Sequence, residues 1–311
     1  MLACAPLLCV LPAPGRVARA AAAAPEAATL LRDHPLVGQC WDARARRFVN
    51  RHALVEALSR ASLRLIGEVH DNPDHHALQV ELIDAIAARG LTPIIAFEQM
   101  DSENDAALQD RLRRRGATPD EVAEAVSFDR KGWNWALYEP LVAVALRHRL
   151  PIRAANLSRQ AGAQIARSGL SAIDPERARA LRLDAWTPER EAALREIIRI
   201  GHCGALPESV VPNMTAAQRV RDATLAQALV GASGDGAILI AGNGHVRRDL
   251  GVPVYLEAAG RTPCAIGILE VEGERRDSQA YVHASVQGPL YDFACFTARR
   301  ERLDPCAAFR K

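Results

Sequence analysis

Lysine is almost missing from this chain. Of its 39 basic residues only Lys131 and Lys311 are lysines. Together with the abundance of alanine, this points to a GC-rich coding bias rather than to a function. Charge of one sign is missing too, because 37 acidic residues leave a net charge of +2. The arginines are spread along helical segments instead of gathered in one stripe, so nothing marks a nucleic-acid partner. Seven cysteines are present but no Cys-x-x-Cys pair, which argues against a zinc ribbon or a dithiol redox motif. Export would permit a disulfide, with Cys295 and Cys306 as the expected pair and two separate buried thiols as the alternative. Beyond the N-terminus no segment approaches the ~20 apolar residues that a membrane span needs. No repeat of fixed period occurs.

The N-terminus itself, "MLACAPLLCVLPAPGRVARAAAAAPEAATLL", is apolar, then small, then alanine-rich. It resembles the later half of an export signal, with "ARA" at 18–20 as a small-residue cleavage site, although the basic first region is lacking. Leu2, Ala3 and Cys4 also resemble the end of a bacterial lipobox, in which the cysteine is lipidated. Residues 1–28 are therefore expected to be an export leader or lipoprotein signal outside the globular part. Cys4 is the expected membrane anchor, and the periplasmic side of the envelope, at the outer membrane, the expected location. A plain disordered Ala/Pro-rich leader is the alternative.

With 311 residues, 49% of them hydrophobic, the chain can build a full core. Short apolar runs at 62–67, 93–97, 151–155, 237–241, 252–256 and 265–271 read as strands, with 280–285 closing a hairpin. Between the first two, Leu78, Leu82 and Ile86 share one helical face, Asn72 and Pro73 suit its start, and Gly90 suits its stop. Strand–helix–strand alternation implies an α/β fold with a mostly parallel sheet flanked by helices. Residues 157–232 read as helices only, more than a crossover needs. They are expected to form a helical insert or lid between the core segments 29–156 and 233–311.

In such a sheet, ligands bind beyond the carboxyl ends of the strands. "LRLIGEVHDNPDHH" leaves its strand into Glu68 and His70, "PIIAFEQ" into Glu98 and Gln99, "AILIAGNGH" into Asn243 and His245, and "PIRAAN" into Asn156. Each alone reads equally as a cap, a hydrogen-bonded core histidine or a turn; together they imply one pocket at the sheet's rim. Imidazole and carboxylate could hold a divalent metal, supply a general base with its orienting partner, or contact a porphyrin. His75 and His76, adjacent in a first helical turn, point about 100° apart and read as solvated. "KGWNWALYEPLV" sets Trp133, Trp135 and Tyr138 within six residues of a chain only 5% aromatic. They could stack on a flat ligand, with Tyr138 a phenolate ligand for ferric haem, or pack a helix on the sheet. Arg221 beside Asp222 could be an anion clamp or a plain charge neighbour.

The ordered motifs "LIGEVHDNPDHH", "IIAFEQMD", "WNWALYEPLV", "PIRAANLSR", "HCGALPE", "AAQRVRDATLAQAL", "LIAGNGHVRRDLGVP" and "DFACFT" resemble those of the ChaN-like haem-binding uptake lipoproteins of Gram-negative bacteria. The match runs from about Leu65 to Phe296. The resemblance implies an α/β core with a smaller helical part, export, frequent lipid anchoring, and haem bound in a homodimer for haem and iron uptake. Under it, His70, Tyr138, His202, Arg221, Asp222, Asn243 and His245 are the candidate haem contacts. The family is also distantly similar to erythromycin esterases and TIKI-type metalloproteases, which share a Gly-x-x-His after a strand, a Glu after the next, and a late His. The matching positions here are Gly67 with His70, Glu98, and His245. A metal-dependent hydrolase using Glu68, His70, Glu98 and His245 is the alternative function.

Overall fold

The apolar runs take their places in a computed structural model that describes residues 28–283, 288–304 and 306–307. The expected leader, with Cys4 and the cleavage site, lies outside the described residues. The strands are β1 (Thr29–Leu30), β2 (Cys40–Asp42), β3 (Arg47–Val49), β4 (Leu63–Glu68), β5 (Ile94–Asp101), β6 (Ile152–Asn156), β7 (Ala237–Gly242), β8 (Pro263–Glu270), β9 (Phe293–Thr297) and β10 (Arg299–Arg300). The helices are α1 (Arg51–Arg60), α2 (Pro73–Ala87), α3 (Asp105–Arg113), α4 (Pro119–Ala125), α5 (Trp135–Arg147), α6 (Arg159–Ser168), α7 (Pro175–Ala180), α8 (Pro188–Gly201), α9 (Val211–Val230), α10 (Asn243–Val246), α11 (Val252–Ala258) and α12 (Ser278–Val282).

One eight-stranded sheet runs in the order β3-β2-β9-β8-β4-β7-β5-β6. The six strands from β9 to β6 are parallel, while β2 and β3 add an antiparallel ribbon at the β9 side. The fold is thus the α/β class with a mostly parallel sheet. A separate short pair joins β1 to β10.

The strands are apolar on both faces because both faces are covered. Along β7, Ile238 and Ile240 pack into one core with α1, α2, α4 and α5. Ala237, Leu239 and Ala241 face the opposite core with α6, α9 and α11. The start of α2 follows its sequence signals: the Asn72 side chain accepts from the Asp74 backbone N–H, and Pro73 opens the helix without a donor to lose.

Residues 157–232 hold helical elements only, α6 to α9 with short 3-10 turns. Within them α9 is no detached lid. Val220, Ala223, Leu225 and Leu229 join the core under the sheet, and α9 carries Asp222 to the sheet's edge.

Two strand assignments fail. Residues 252–256 form α11, with Pro253 near its start; proline cannot donate to a ladder, and it suits a first helical turn. Every residue from Val252 to Leu256 is buried, so the run carried no periodicity to separate strand from helix. Residues 280–282 of the expected 280–285 hairpin segment belong to α12, started by the Asp277 side chain accepting from Gln279 N–H, and residues 284–287 lie outside the described residues. His283 keeps a single antiparallel bridge to Pro289.

The Cys295–Cys306 pairing is also corrected. Cys40 joins Cys295, which sit opposite each other on β2 and β9, and Cys203 joins Cys306. Strand register puts Cys40 in reach of Cys295. Cys264 is the remaining free thiol among the described residues, and burial pushes its pKa up to about 12, which leaves it unreactive. No helix among the described residues is long and apolar enough to cross a membrane.

Candidate functional site

Three adjacent strands, β4, β7 and β5, end side by side. Glu68 on β4 is paired in register with Gly242 on β7, and Gly242 donates its N–H to Glu98 Oε2 on β5 at 2.7 Å. Glu68 and Glu98 are both about 2% exposed, so each carboxylate must find partners in the protein.

Glu68 is surrounded by donors. Tyr138 donates its hydroxyl to Oε1 at 2.6 Å, and the Gln99 side-chain amide to the same oxygen at 3.1 Å. Nδ1 of His70 lies 2.8 Å from Oε1, and Nδ1 of His76 lies 3.5 Å from Oε2. Burial alone would raise the Glu68 pKa; the His70 hydrogen bond and the His76 charge outweigh it and hold the carboxyl below its usual value. His70 responds in kind: burial pulls it down, but its hydrogen bond to Glu68 and the charge of Glu98 raise it.

The second constellation is centred on His245, placed by the one-turn helix α10. Its Nε2 lies 3.1 Å from Glu98 Oε1 and its Nδ1 2.5 Å from Asp222 Oδ1. Burial lowers the imidazole pKa, yet the two facing carboxylates raise it to about 10. Glu98 is pulled down to about 2 against its burial, whereas burial keeps Asp222 raised despite His245. The arrangement is an imidazolium held between a firmly ionised Glu98 and a second carboxyl, both buried.

The two constellations meet at Gly242. A Cβ there would stand 2.8 Å from His70 Cε1, 2.9 Å from its Nε2 and 3.7 Å from Glu98 Oε2. The glycine is needed because the His70 ring lies against this backbone. Beyond the ring opens a cavity of about 460 Å³, within the size range of small-molecule sites. Its floor is polar, with His70, Asp222 and His245; its far wall is the apolar face of α8, with Leu194, Ile197 and Ile198, joined by Leu250 and by His202 at the end of the helix.

Glu68, His70, Glu98 and His245 do converge, from chain positions up to 177 residues apart, since a parallel sheet lines up its strand ends. A four-ligand metal centre does not form. Among the described residues no group of three or more His, Cys, Asp or Glu side chains could hold a metal ion. The reason is local: the nitrogens of His245 are both committed to carboxylates, and Oε1 of Glu68 is taken up by Tyr138, Gln99 and His70.

Of the candidate haem contacts, His70, His202, Asp222, Asn243 and His245 line this cavity, whereas Tyr138 and Arg221 do not. Tyr138 is fully buried and donates to Glu68; burial pushes its pKa far up, so it is no phenolate ligand. With both ring nitrogens engaged, His245 offers no lone pair to iron. Asn243 spends its amide and its oxygen on the backbone of Ile268, at 2.6 and 3.1 Å. Arg221 and Asp222 do not act together. Adjacent helical residues diverge, and Arg221 lines a separate small cavity with Asp101 and Asn156.

His70 and His202 are the cavity's imidazoles not held between two carboxylates. The His70 side chain is 41% exposed. His202 has Nδ1 2.8 Å from the Ile198 carbonyl oxygen, a bond in which Nδ1–H donates and Nε2 keeps its lone pair.

The expected solvated pair His75 and His76 is instead buried. His75 bonds Val69 N–H and Thr297, and His76 Nε2 lies 3.0 Å from the His70 carbonyl. Trp133 stacks edge-on against His70, at 4.7 Å between ring centroids, and Trp135 packs on Phe128. The aromatic cluster therefore supports the site from behind. Gln99 and Gln218 complete the two carboxylate networks; Gln99 was legible from its place after a strand, whereas Gln218 had no signal. Leu194, Ile198 and Leu250 also went unmarked, because an amphipathic helix does not announce which neighbour its apolar face will meet.

The model of the family described as "Haem-binding uptake, Tiki superfamily, ChaN" matches residues 54–256. No curated protein matches the chain. Among solved structures, ChaN of Campylobacter jejuni, described with cofacial haem binding, is 21% identical. That alignment covers 85% of this chain and 97% of the other, with a TM-score of 0.67. The type III effector HopBA1 is 14% identical over 78% of this chain and 91% of its own, at TM-score 0.45. An erythromycin esterase is 14% identical over 80% and 78%, at TM-score 0.37.

Proposed function

Because this chain belongs to the haem-binding uptake family of the Tiki superfamily, we propose that it binds haem in the cavity between the sheet's carboxyl edge and α8. The observation that carries the proposal is the composition of that one cavity. An apolar wall of Leu194, Ile197, Ile198 and Leu250 suits a porphyrin face. In the same wall His202 has the tautomer that leaves Nε2 for a metal.

His202 is the residue that would hold the iron. His70, half-exposed and anchored by Glu68, would face the ligand from the polar floor. Bound haem would supply an iron centre whose spectrum reports its axial ligand. The protein's part is to exclude water with α8, to fix the His202 ring through the Ile198 carbonyl, and to keep the floor charges balanced within the Glu68 and Glu98 networks. The exposed side chains of Ile197 and Ile200 on α8, the latter 67% exposed, support a homodimer that closes the cavity mouth. We place the protein on the periplasmic side of the envelope, anchored through Cys4, in haem or iron uptake; the leader sequence supports this.

Titration of the purified protein with hemin tests the site. A saturable Soret shift is expected, weakened about tenfold or more in His202→Ala, the scale on which metal sites respond to loss of a supporting or ligating group. A spectrum no different from that with an unrelated basic protein would end the proposal. An unchanged affinity in His202→Ala would move the ligand elsewhere in the cavity. Sedimentation with and without hemin reads the dimer.

A further inference from the structure

The other end of the sheet carries a second, unrelated feature. The segment after α3, "RLRRRGATP", folds against the turn that leads from α5 into β6. Between them lies a cleft of about 860 Å³. Leu112, Leu146 and Leu150 give it an apolar floor, and Arg114, Arg115 and Arg149 stand at its rim.

These three arginines are exposed. The nearby acids are already matched: Asp110 pairs with Arg113, Glu121 with Arg111, Asp105 with Arg153 at 3.6 Å and Asp84 with Arg147 at 2.6 Å. Among the described residues, no ion pair reaches Arg114, Arg115 or Arg149. Arg149 also holds a left-handed backbone, φ 55°, a conformation that costs most L-residues of order 1 kcal/mol and that glycine adopts freely. The sequence had seemed to scatter its arginines; the fold gathers three uncompensated ones around one apolar cleft.

We propose that this cleft docks the protein on an anionic phospholipid surface. Guanidinium groups pair with phosphate in a bidentate manner, and the apolar floor between them accepts the upper acyl or glycerol region of a headgroup. A pocket for a small soluble anion would instead converge buried donors on one point, and here the arginines ring an open mouth. The cleft begins at the amino end of β6, and the haem cavity lies beyond the carboxyl ends of β4, β5 and β7. A protein docked this way presents its cavity away from the membrane. The inference does not depend on haem.

Flotation of the full chain with vesicles tests it. Binding to vesicles containing phosphatidylglycerol should exceed binding to phosphatidylcholine alone and should fall with added salt. Each arginine removed should weaken it about fivefold, so Arg114→Ala with Arg149→Ala should lose about 25-fold. Arg149→Gly gives a sharper reading, because glycine relieves the left-handed backbone: thermal stability should hold or rise while vesicle binding falls. Equal binding to both vesicle types, or variants that bind as the parent does, would overturn the proposal. Displacement by glycerol phosphate would overturn it in favour of a soluble phosphate ligand, and equally arginine-dependent binding to duplex DNA in favour of nucleic acid.

Discussion

Acid should weaken this protein through one buried histidine. His75 on α2 is fully buried. Its Nδ1 accepts the Val69 backbone N–H at 2.8 Å, and Nε2 lies 2.7 Å from Thr297 Oγ1. A backbone N–H can only donate, so Nδ1 must carry a lone pair and the ring must be neutral. Burial lowers its pKa from 6.5 to about 4, although Glu270 and Glu68 pull it upward while His76 and Arg302 push it further down. The stability this represents is fully present above pH 6.5. It is lost as pH falls toward 4, because the unfolded chain takes up a proton that the folded chain refuses. The whole gap is worth about 3 kcal/mol, at about 1.36 kcal/mol per pH unit, and roughly 2 kcal/mol of it falls between pH 7 and pH 5. The raised pKa values of His70 and His245 act with the opposite sign near the top of that window. The raised carboxyls Asp101 and Asp222 are relieved as pH falls, so the His75 contribution is the difference between the parent and a His75 variant. The raised pKa of His245 stabilises fully below 6.5 and is lost only as pH rises toward 10. The lowered pKa of Glu98 is lost only as pH falls from 4.5 through about 2. Urea unfolding followed by tryptophan fluorescence at pH 7, 6 and 5 would measure the slope. The His75→Gln variant should be less stable at pH 7 and should lose about 2 kcal/mol less than the parent between pH 7 and 5. A His75→Gln variant whose stability changes between pH 7 and 5 as much as the parent's does would refute the reasoning.

Three other outcomes are expected. Tyr138→Phe removes a donor from the buried Glu68 carboxylate and should cost about 1–3 kcal/mol in unfolding free energy, with hemin affinity changed less than in His202→Ala. Gly242→Ala puts a methyl group against the His70 ring; it should cost about 1–3 kcal/mol and alter the His70 titration seen by NMR, whereas an unmoved His70 titration would show that the ring does not rest there. Cys295→Ser opens a bridge between residues 255 apart in sequence and should cost about 2–5 kcal/mol by denaturant unfolding, with parent and variant converging under reducing agent, which opens Cys203–Cys306 in both.

Sequence alone settled whatever is encoded locally. The alternation of short apolar runs with 3.6-period helices gave the α/β class, and residues placed just after strands gave the rim, because parallel strands must bring their carboxyl ends to one edge. Glu68, His70, Glu98 and His245 were found that way. The same logic could not say how the four are shared out. Whether an imidazole ligates a metal, takes a charge or donates to a carboxylate depends on what stands opposite both of its nitrogens. For His245 the deciding group, Asp222, arrives on α9 from 23 residues away. His75 and His76 looked solvated because a first helical turn usually is; the end of β9, more than 200 residues later, meets His75, and Tyr138 of α5 lies against His76. Residues 252–256 show the opposite failure: burial on all sides erased the periodicity that tells helix from strand. Cysteine partners and the apolar wall opposite the rim were likewise decided by tertiary structure. Strand register and helix docking are set by contacts among distant segments, and one chain read from end to end carries no local mark of them.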